Sequence, residues 1–598
     1  MNPITKRCTS GFVLLMALAL YCQAGLSQQP PPNRPLVLKG ATAIDGLGKA
    51  PIRDAVIVIE GERIKSFGGK GTPYPADATV VDVSGKFVIP GLVDSHTHFR
   101  PWLGELFLNY GVTTIMVPSN PDYTVEQRDA SQSGEARTPR IFRSPRLALV
   151  PGMTEEQVRS LVQDWLKKKP DYANLPVYND RNKQAYQWAV QQIHDAGLVV
   201  FGHTENAPES VGIGQDVVEH LWGFAQALMT PRELEDYQKG EYLHWGSFLK
   251  DEARIDRMIQ EAVGRGVYLN PTMVYELGSQ SSLTPKHELD AYNSFRDPAL
   301  MTYFPENLAD GALLKFRSVR TFSTKYENQV ALSRLSPKDL QEFKEAYRLC
   351  GEFIRKWVRA GGKIIGGTDD PSSGIVGLTL HMEMAMLVEV GLTPMQALQA
   401  ATSWGAEMLT ARRTGSTRPP IGLIAEGAYA DLVVLGANPL ENIDNTKKIE
   451  RVMKGGKFIQ LGYTPYYATT KAGELSTIPS IQAPEISSIT PHVAVEGSPE
   501  LEMVVDGVGF AGNSVVRVDG VAVPTTFVNI RTLQAKIPAG AVSRALPNRF
   551  NQPGPEQRVG VYGDRTVKIT VFNGPPDGGE SNSVSLRVIA KWLAEKKD

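Results

Sequence analysis

Between about residue 89 and residue 415 the chain alternates short apolar runs with longer helical patterns, and no other feature narrows its fold as much. Eight runs read as strands: Leu92–His98 (LVDSHTH), Val112–Ser119 (VTTIMVPS), Arg140–Leu149 (RIFRSPRLAL), Asn174–Asn179 (NLPVYN), Leu198–Thr204 (LVVFGHT), Val217–Trp222 (VVEHLW), Val267–Val274 (VYLNPTMV) and Lys363–Asp370 (KIIGGTDD). Several are separated by helical patterns such as RNKQAYQWAVQQIHDAG. Strand–helix alternation sustained over roughly 300 residues predicts an α/β protein built on a (β/α)8 TIM-like barrel. A long, mostly helical stretch from Glu276 to about Arg359 interrupts the pattern before the last strand. It is placed to cover the face where the strands end, with a purely structural role as the alternative.

Two β-rich pieces flank the barrel. Residues 36–88 hold LVLKGATAID, DAVIVIEGERIKSFG and ATVVDVSGKFVIP, and a similar pattern returns in 416–461 with YADLVVLGANP and IERVMKGGKFIQ. β-Branched runs punctuated by Gly-Lys and Glu-Gly turns predict one small composite β-sandwich made from both flanks. Residues 462–483, rich in Thr, Pro, Ser and Ala, read as a linker. Beyond it, 484–590 shows short alternating strands with Gly and Pro turns, a β-sandwich signature. Its SITP opening, GFAGNSVVRVDG centre and TVFNGPPDGGESN close resemble the IPT/TIG immunoglobulin-like fold. The resemblance implies a spacer or a module for protein or glycan contact.

The N-terminus reads as a secretory signal over residues 1–27. Lys6 and Arg7 precede the apolar run FVLLMALALY, and Ala24, Gly25 and Ser27 offer cleavage sites. That run falls short of the ~20 residues a spanning helix needs, so no integral span is expected after cleavage. A lipoprotein reading through Cys22 is weaker, because bulky Tyr21 precedes it. Export to the periplasm or the extracellular space follows. Cys8 and Cys22 leave with the signal, so Cys350 is alone in the mature chain and no internal disulfide forms. A net charge of −1 gives no reason to expect nucleic acid as a partner.

The stretch Phe87–His98 (FVIPGLVDSHTH) ends on two histidines that strand alternation sends to one face. His203 ends the fifth candidate strand, His220 the sixth, and Asp369 the eighth. In a parallel barrel the strand ends converge on the C-terminal face, which would gather all five groups. Imidazole and carboxylate are fitting ligands for Zn2+ or another divalent transition ion.

These motifs resemble the amidohydrolase superfamily, in its imidazolonepropionase-like and prolidase-like branch, over most of Leu36–Leu461. The similarity lies in VIPGLVDSHTH, GLVVFGH, VEHLWGF, GTDD, the helix LHMEMAMLVEVGLTPMQALQAATSWGAEML and the closing GLIAEGAYADLVVL. It implies a metal held by His96, His98, His203, His220 and Asp369, with Asp369 also the proton acceptor and His220 either a ligand or a donor to the reacting group. Binuclear relatives commonly carry a lysine on the fourth strand; here Leu175-Pro176-Val177-Tyr178 puts Pro176 there, which implies one ion. Asp370 reads as a supporting carboxylate, while His381 and Tyr275 are expected to face a small-molecule or small-peptide substrate. The implied reaction is hydrolysis of a C–N bond in an amide, a cyclic amide or a small peptide. Asn206 three residues after His203, where deaminases often place glutamate, leans against deamination. The alternatives are a hydrolase of lactones or esters, and a weakened barrel serving as an exported binding protein.

Overall fold

The computed structural model describes residues 34–99, 103–118, 125–134, 136–301, 303, 313, 315–321, 323–327, 329–370, 374–412, 421–463, 484–543, 565–573 and 579–589. The expected signal at 1–27 and nearly all of the expected linker lie outside them.

Eight parallel strands form the barrel: β1 (Leu92–Asp94), β2 (Val112–Val117), β3 (Arg140–Arg143), β4 (Ala173–Tyr178), β5 (Val200–Thr204), β6 (Val217–Glu219), β7 (Tyr268–Asn270) and β8 (Lys363–Ile364). They pair in two arcs, β1-β2-β3 and β4-β5-β6-β7-β8. The arcs meet at both seams. Asp171 N–H donates to Arg143 C=O at 2.9 Å between β3 and β4. On the other side Ser95 N–H donates to Gly366 C=O at 2.8 Å, and Thr97 bridges Asp370 in parallel. Every expected strand is present, and all but β4 are shorter than the expected run.

Inside the ring, Val93, Met116, Phe142, Phe201, Val217 and Ile365 belong to one buried cluster although they come from different strands. That layer floors the C-terminal mouth. Helices seal the outside by the usual periodic rule. Helix Glu155–Leu166 opens with a capping box between Thr154 and Gln157 and buries Val158, Val162 and Trp165. Helix Pro337–Arg359 starts on Ser336, whose hydroxyl accepts from Asp339 N–H. It buries Phe343, Ala346, Cys350, Phe353, Ile354 and Trp357, so Cys350 is a packed apolar group whose thiol burial pushes well above its ordinary pKa.

The flanking β pieces join as expected, with one correction. Hydrogen bonds link all eight of their strands into a single sheet instead of two facing ones. The junction is Phe87–Pro90 running antiparallel to Leu432–Leu435. Arg63–Gly68 at the far edge is tied back by Ile64 N–H to Ala428 C=O at 2.9 Å and by Ala430 N–H to Glu62 C=O at 2.8 Å. The sheet therefore wraps around its own core of Leu38, Ile57, Ile64, Val88, Leu432 and Met453.

A buried pair bolts this sheet to the barrel. Arg140 of β3 donates from Nε to Asp431 Oδ2 at 2.6 Å and from Nη2 to Oδ1 at 3.1 Å, and its guanidinium lies 3.5 Å from the centre of the Tyr429 ring.

Among the described residues between β7 and β8, helices predominate and a short hairpin pairs Ser318–Arg320 with Gln329–Ala331. After the expected linker, the C-terminal strands form a four-stranded and a six-stranded sheet around Ile486, Met503, Val516, Leu533, Val567 and Leu586. One described contact from this region to the rest is made by Arg531, which donates to the Phe316 carbonyl at 2.7 Å and lies 3.8 Å from Glu288. Among the described residues no helix is long and apolar enough to cross a membrane.

Candidate metal centre

The site begins with how three neighbouring strands end. His220 after β6, Thr272 after β7 and Asp369 after β8 take left-handed backbone conformations, with φ of 57°, 44° and 56°. Non-glycine residues pay about 1–3 kcal/mol each for such a conformation, so it persists only where the surroundings impose it. Here the distortion turns side chains into the mouth that straight strands would aim elsewhere.

Two groups of donors result. His96 Nε2 and His98 Nε2 converge on Asp369 Oδ1 at 3.3 and 3.0 Å. Beside them, His203 Nε2 and His220 Nε2 stand 3.1 Å apart, with Glu219 next to them. In each of the triads His96/His98/Asp369 and His203/Glu219/His220, ligand atoms lie within 4.8 Å of one another. His96 stacks on Phe201 with ring centres 6.4 Å apart, so the apolar floor holds the site from below. Gly367 gives it room: a Cβ there would stand 2.9 Å from the His96 Cβ and 2.7 Å from the Asn270 amide.

Protonation follows from burial and neighbours. Burial disfavours charge on His96, but Glu219 and Asp369 outweigh it and hold its pKa well above the usual range. Burial likewise opposes charge on Asp369, yet contacts with His96 and His98 keep the carboxyl well below its ordinary pKa. His220 is pulled down to about 3 by burial and by the neighbouring His203, so it is a neutral imidazole. A neutral ring is the state in which histidine binds metal.

The donor set fits a cation. Both ring nitrogens of His96 and both oxygens of Glu219 are fully buried and lack a hydrogen bond of acceptable geometry. They nevertheless lie close together: Glu219 Oε1 is in ion-pair contact with His96 Nδ1, and Oε2 is 3.5 Å from His203 Nδ1. Proximity without alignment is what ligands turned towards a common ion would give. Four imidazoles and two carboxylates suit Zn2+ or a similar divalent transition ion.

Of the other residues singled out in the sequence, one is placed differently from its expectation. His381 does not reach the mouth. It is buried with Nδ1 2.8 Å from Thr446 Oγ1 and Nε2 2.9 Å from the Tyr110 carbonyl, a packing role. Tyr275 does line the cavity above the site, a space of about 260 Å3 shared with Trp222, Tyr237, Glu276 and Arg320. Asp370 is buried and accepts from the Thr379 hydroxyl, which fits a supporting carboxylate. The stretch Leu175–Tyr178 lies in β4, so Pro176 occupies that strand and supplies no ligand.

Sequence reasoning missed Glu219 and Asp94. Alternation would put Glu219 and His220 on opposite faces, and only the left-handed His220 brings both inside. Asp94 accepts from the Thr368 hydroxyl at 2.7 Å and from His96 N–H at 3.2 Å, tying β1 to β8. Its burial, with Asp370 nearby, pushes its pKa up to about 8. For Glu219 a test is direct. Glu219→Gln should weaken Zn2+ binding about 10- to 100-fold in chelator competition, the usual cost of losing a carboxylate next to metal-ligating histidines. Unchanged affinity would remove Glu219 from the site.

A parallel barrel with histidines and an aspartate gathered at its C-terminal mouth defines the class as a barrel protein with a candidate metal centre. The model of the Amidohydrolase family matches residues 185–459. The imidazolonepropionase of Streptomyces griseus is 47% identical over 397 residues, covering 64% of this chain and 86% of that protein. That of Streptomyces coelicolor is 45% identical over 402 residues, with coverage of 64% and 86%. The solved structure of molinate hydrolase superposes with a TM-score of 0.52 at 17% identity, covering 74% of this chain and 99% of that one, a likeness of fold. The chain belongs to the amidohydrolase family and is an enzyme acting on C–N bonds.

Proposed function

We propose that this protein is an exported, metal-dependent amidohydrolase that cleaves the C–N bond of an amide, a cyclic amide or a small peptide. The observation that carries the reading is the convergence of His96 and His98 on Asp369, which lines the cavity. His96, His98 and Asp369 would hold one divalent ion, with His203 and His220 available beside them. When bound, the ion lowers the pKa of water towards about 7 and polarises the substrate carbonyl. Asp369 takes the proton of the attacking water and returns it to the leaving nitrogen, base first and then acid. His220 is anchored through its Nδ1 to the Thr272 hydroxyl, which leaves Nε2 directed into the mouth to hold the carbonyl oxygen. Trp222, Tyr237 and Tyr275 wall the space and exclude bulk water.

A second reading has two ions, and the separate grouping of His203, Glu219 and His220 favours it. Metal analysis of the purified chain reads this directly, as one equivalent or two. The relatives named imidazolonepropionase support a C–N bond over an ester. Export rests on Lys6, Arg7 and the run FVLLMALALY, and the C-terminal region is assigned to an IPT/TIG immunoglobulin-like module by its sequence motifs. The decisive screen offers dipeptides, N-acyl amino acids, lactams and lactones to the full chain. Hydrolysis of amides or lactams should vanish on chelation and return with Zn2+. Hydrolysis that survives chelation, or a chain that binds no metal, overturns the assignment.

A further inference from the structure

Next to the catalytic cavity lies a second one of the same size, about 260 Å3, lined by Val274, Ser279, Lys315, Ser318 and Gln329. The two share Tyr275, Glu276 and Arg320 as a common wall. Both basic residues come from the stretch inserted between β7 and β8. Lys315 lies just before the hairpin, and Arg320 ends its first strand. They bracket one aromatic ring, with Lys315 Nζ 5.4 Å and the Arg320 guanidinium carbon 5.0 Å from the centre of Tyr275. Arg320 Nη1 also donates to the Tyr275 hydroxyl at 2.6 Å. Gln329 Nε2 donates to Ser318 Oγ at 2.7 Å, which braces the hairpin that carries Arg320.

We propose that this second chamber is an anion subsite in which Lys315 and Arg320 receive a carboxylate of the substrate while its C–N bond lies at the metal centre. The inference deepens the hydrolase reading and rests on it. Charge differs between the two chambers. Glu276 and Arg320 face both, and the chambers differ by one charged group each: Asp369 lines the catalytic one and repels an anion, whereas Lys315 lines the second. A substrate with a neutral amide at one end and a carboxylate at the other is thereby oriented in one direction only. A planar guanidinium fork with an adjacent ammonium and a phenol suits the two oxygens of a carboxylate. Burial pulls the Lys315 pKa below its usual value, and an arriving anion would restore the lost solvation.

The test pairs N-benzoylglycine with N-benzoylglycinamide, which differ only in carboxylate against amide. Binding is read by calorimetry on the full-length Asp369→Asn chain, where turnover does not interfere, and hydrolysis is read on the Zn2+-loaded wild type. The acid should bind about tenfold tighter than the amide, with the preference shrinking at high salt. Lys315→Met and Arg320→Met should each remove most of that preference, raising KM for the acid with kcat little changed. Equal binding of the two probes, binding of neither at millimolar concentration, or a preference that survives both substitutions overturns the subsite. A preference in binding without hydrolysis of either probe supports the subsite and counts against the proposed reaction.

Discussion

Asp369→Asn is expected to lower turnover by about 10²- to 10⁴-fold on any amide the wild type cleaves, the range that positioned proton transfer contributes. Asn keeps the size of Asp but cannot accept and return a proton. Both residues tolerate the left-handed conformation that position 369 adopts, so the backbone at φ 56° should survive the exchange. The expected result is a folded protein, with an unchanged circular dichroism spectrum and thermal transition, that retains His96 and His98 but has lost its base. Metal content must be measured alongside. Loss of turnover with metal still bound isolates the proton-transfer role, and loss of both shows that Asp369 acts chiefly as a ligand. A variant that hydrolyses at the wild-type rate would assign the base elsewhere.

The second large effect concerns stability. Arg140→Met should destabilise the joint between the barrel and the flanking sheet by about 3–5 kcal/mol, because removing one partner of a buried pair strands the other. Arg140 is completely buried, and Asp431 nearly so. Asp431 would keep one hydrogen bond, from Gly455 N–H to Oδ1 at 2.6 Å, and the attraction of nearby Lys454, which do not replace the two hydrogen bonds lost with the guanidinium. Methionine fills most of the space and retains the packing against Tyr429, so the measured loss reports the charge more than a cavity. The check is the first transition in urea unfolding, followed with and without Zn2+. A shift below about 1 kcal/mol would show that water or rearrangement neutralises Asp431. Replacing both residues by apolar ones should recover much of the loss.

The barrel was legible because its signal is local. Each strand is a short apolar run whose position depends on its own residues, and the strands recur at the spacing that parallel crossovers require. His96, His98, His203, His220 and Asp369 could be placed because each ends such a run. What escaped depends on contacts made far along the chain. Glu219 carries no signal of its own, because strand alternation sets it opposite His220 and only the left-handed backbone at His220 brings both inside. Arg320 belongs to a hairpin with no motif, and its importance comes from meeting Tyr275, 45 positions earlier. His381 was drawn into the site by its place after the eighth strand, yet its partners Tyr110 and Thr446 are 271 and 65 positions away. The flanking sheet shows the same division. Its strands could be read one by one, but their union into a single wrapped sheet is fixed by pairings such as Val433 with Ile89.

The contact made by Arg531 has a thermodynamic consequence. It binds the carbonyl of Phe316, the residue next to Lys315, and it shares Glu288 with Arg317. The C-terminal sandwich therefore acts as a stay on the arm that carries Lys315. Linkage is reciprocal: whatever steadies that arm from the cavity side also strengthens the seating of the sandwich, by the same free energy. Cutting the stay with Arg531→Ala would loosen the arm from behind, with every residue that faces substrate left in place.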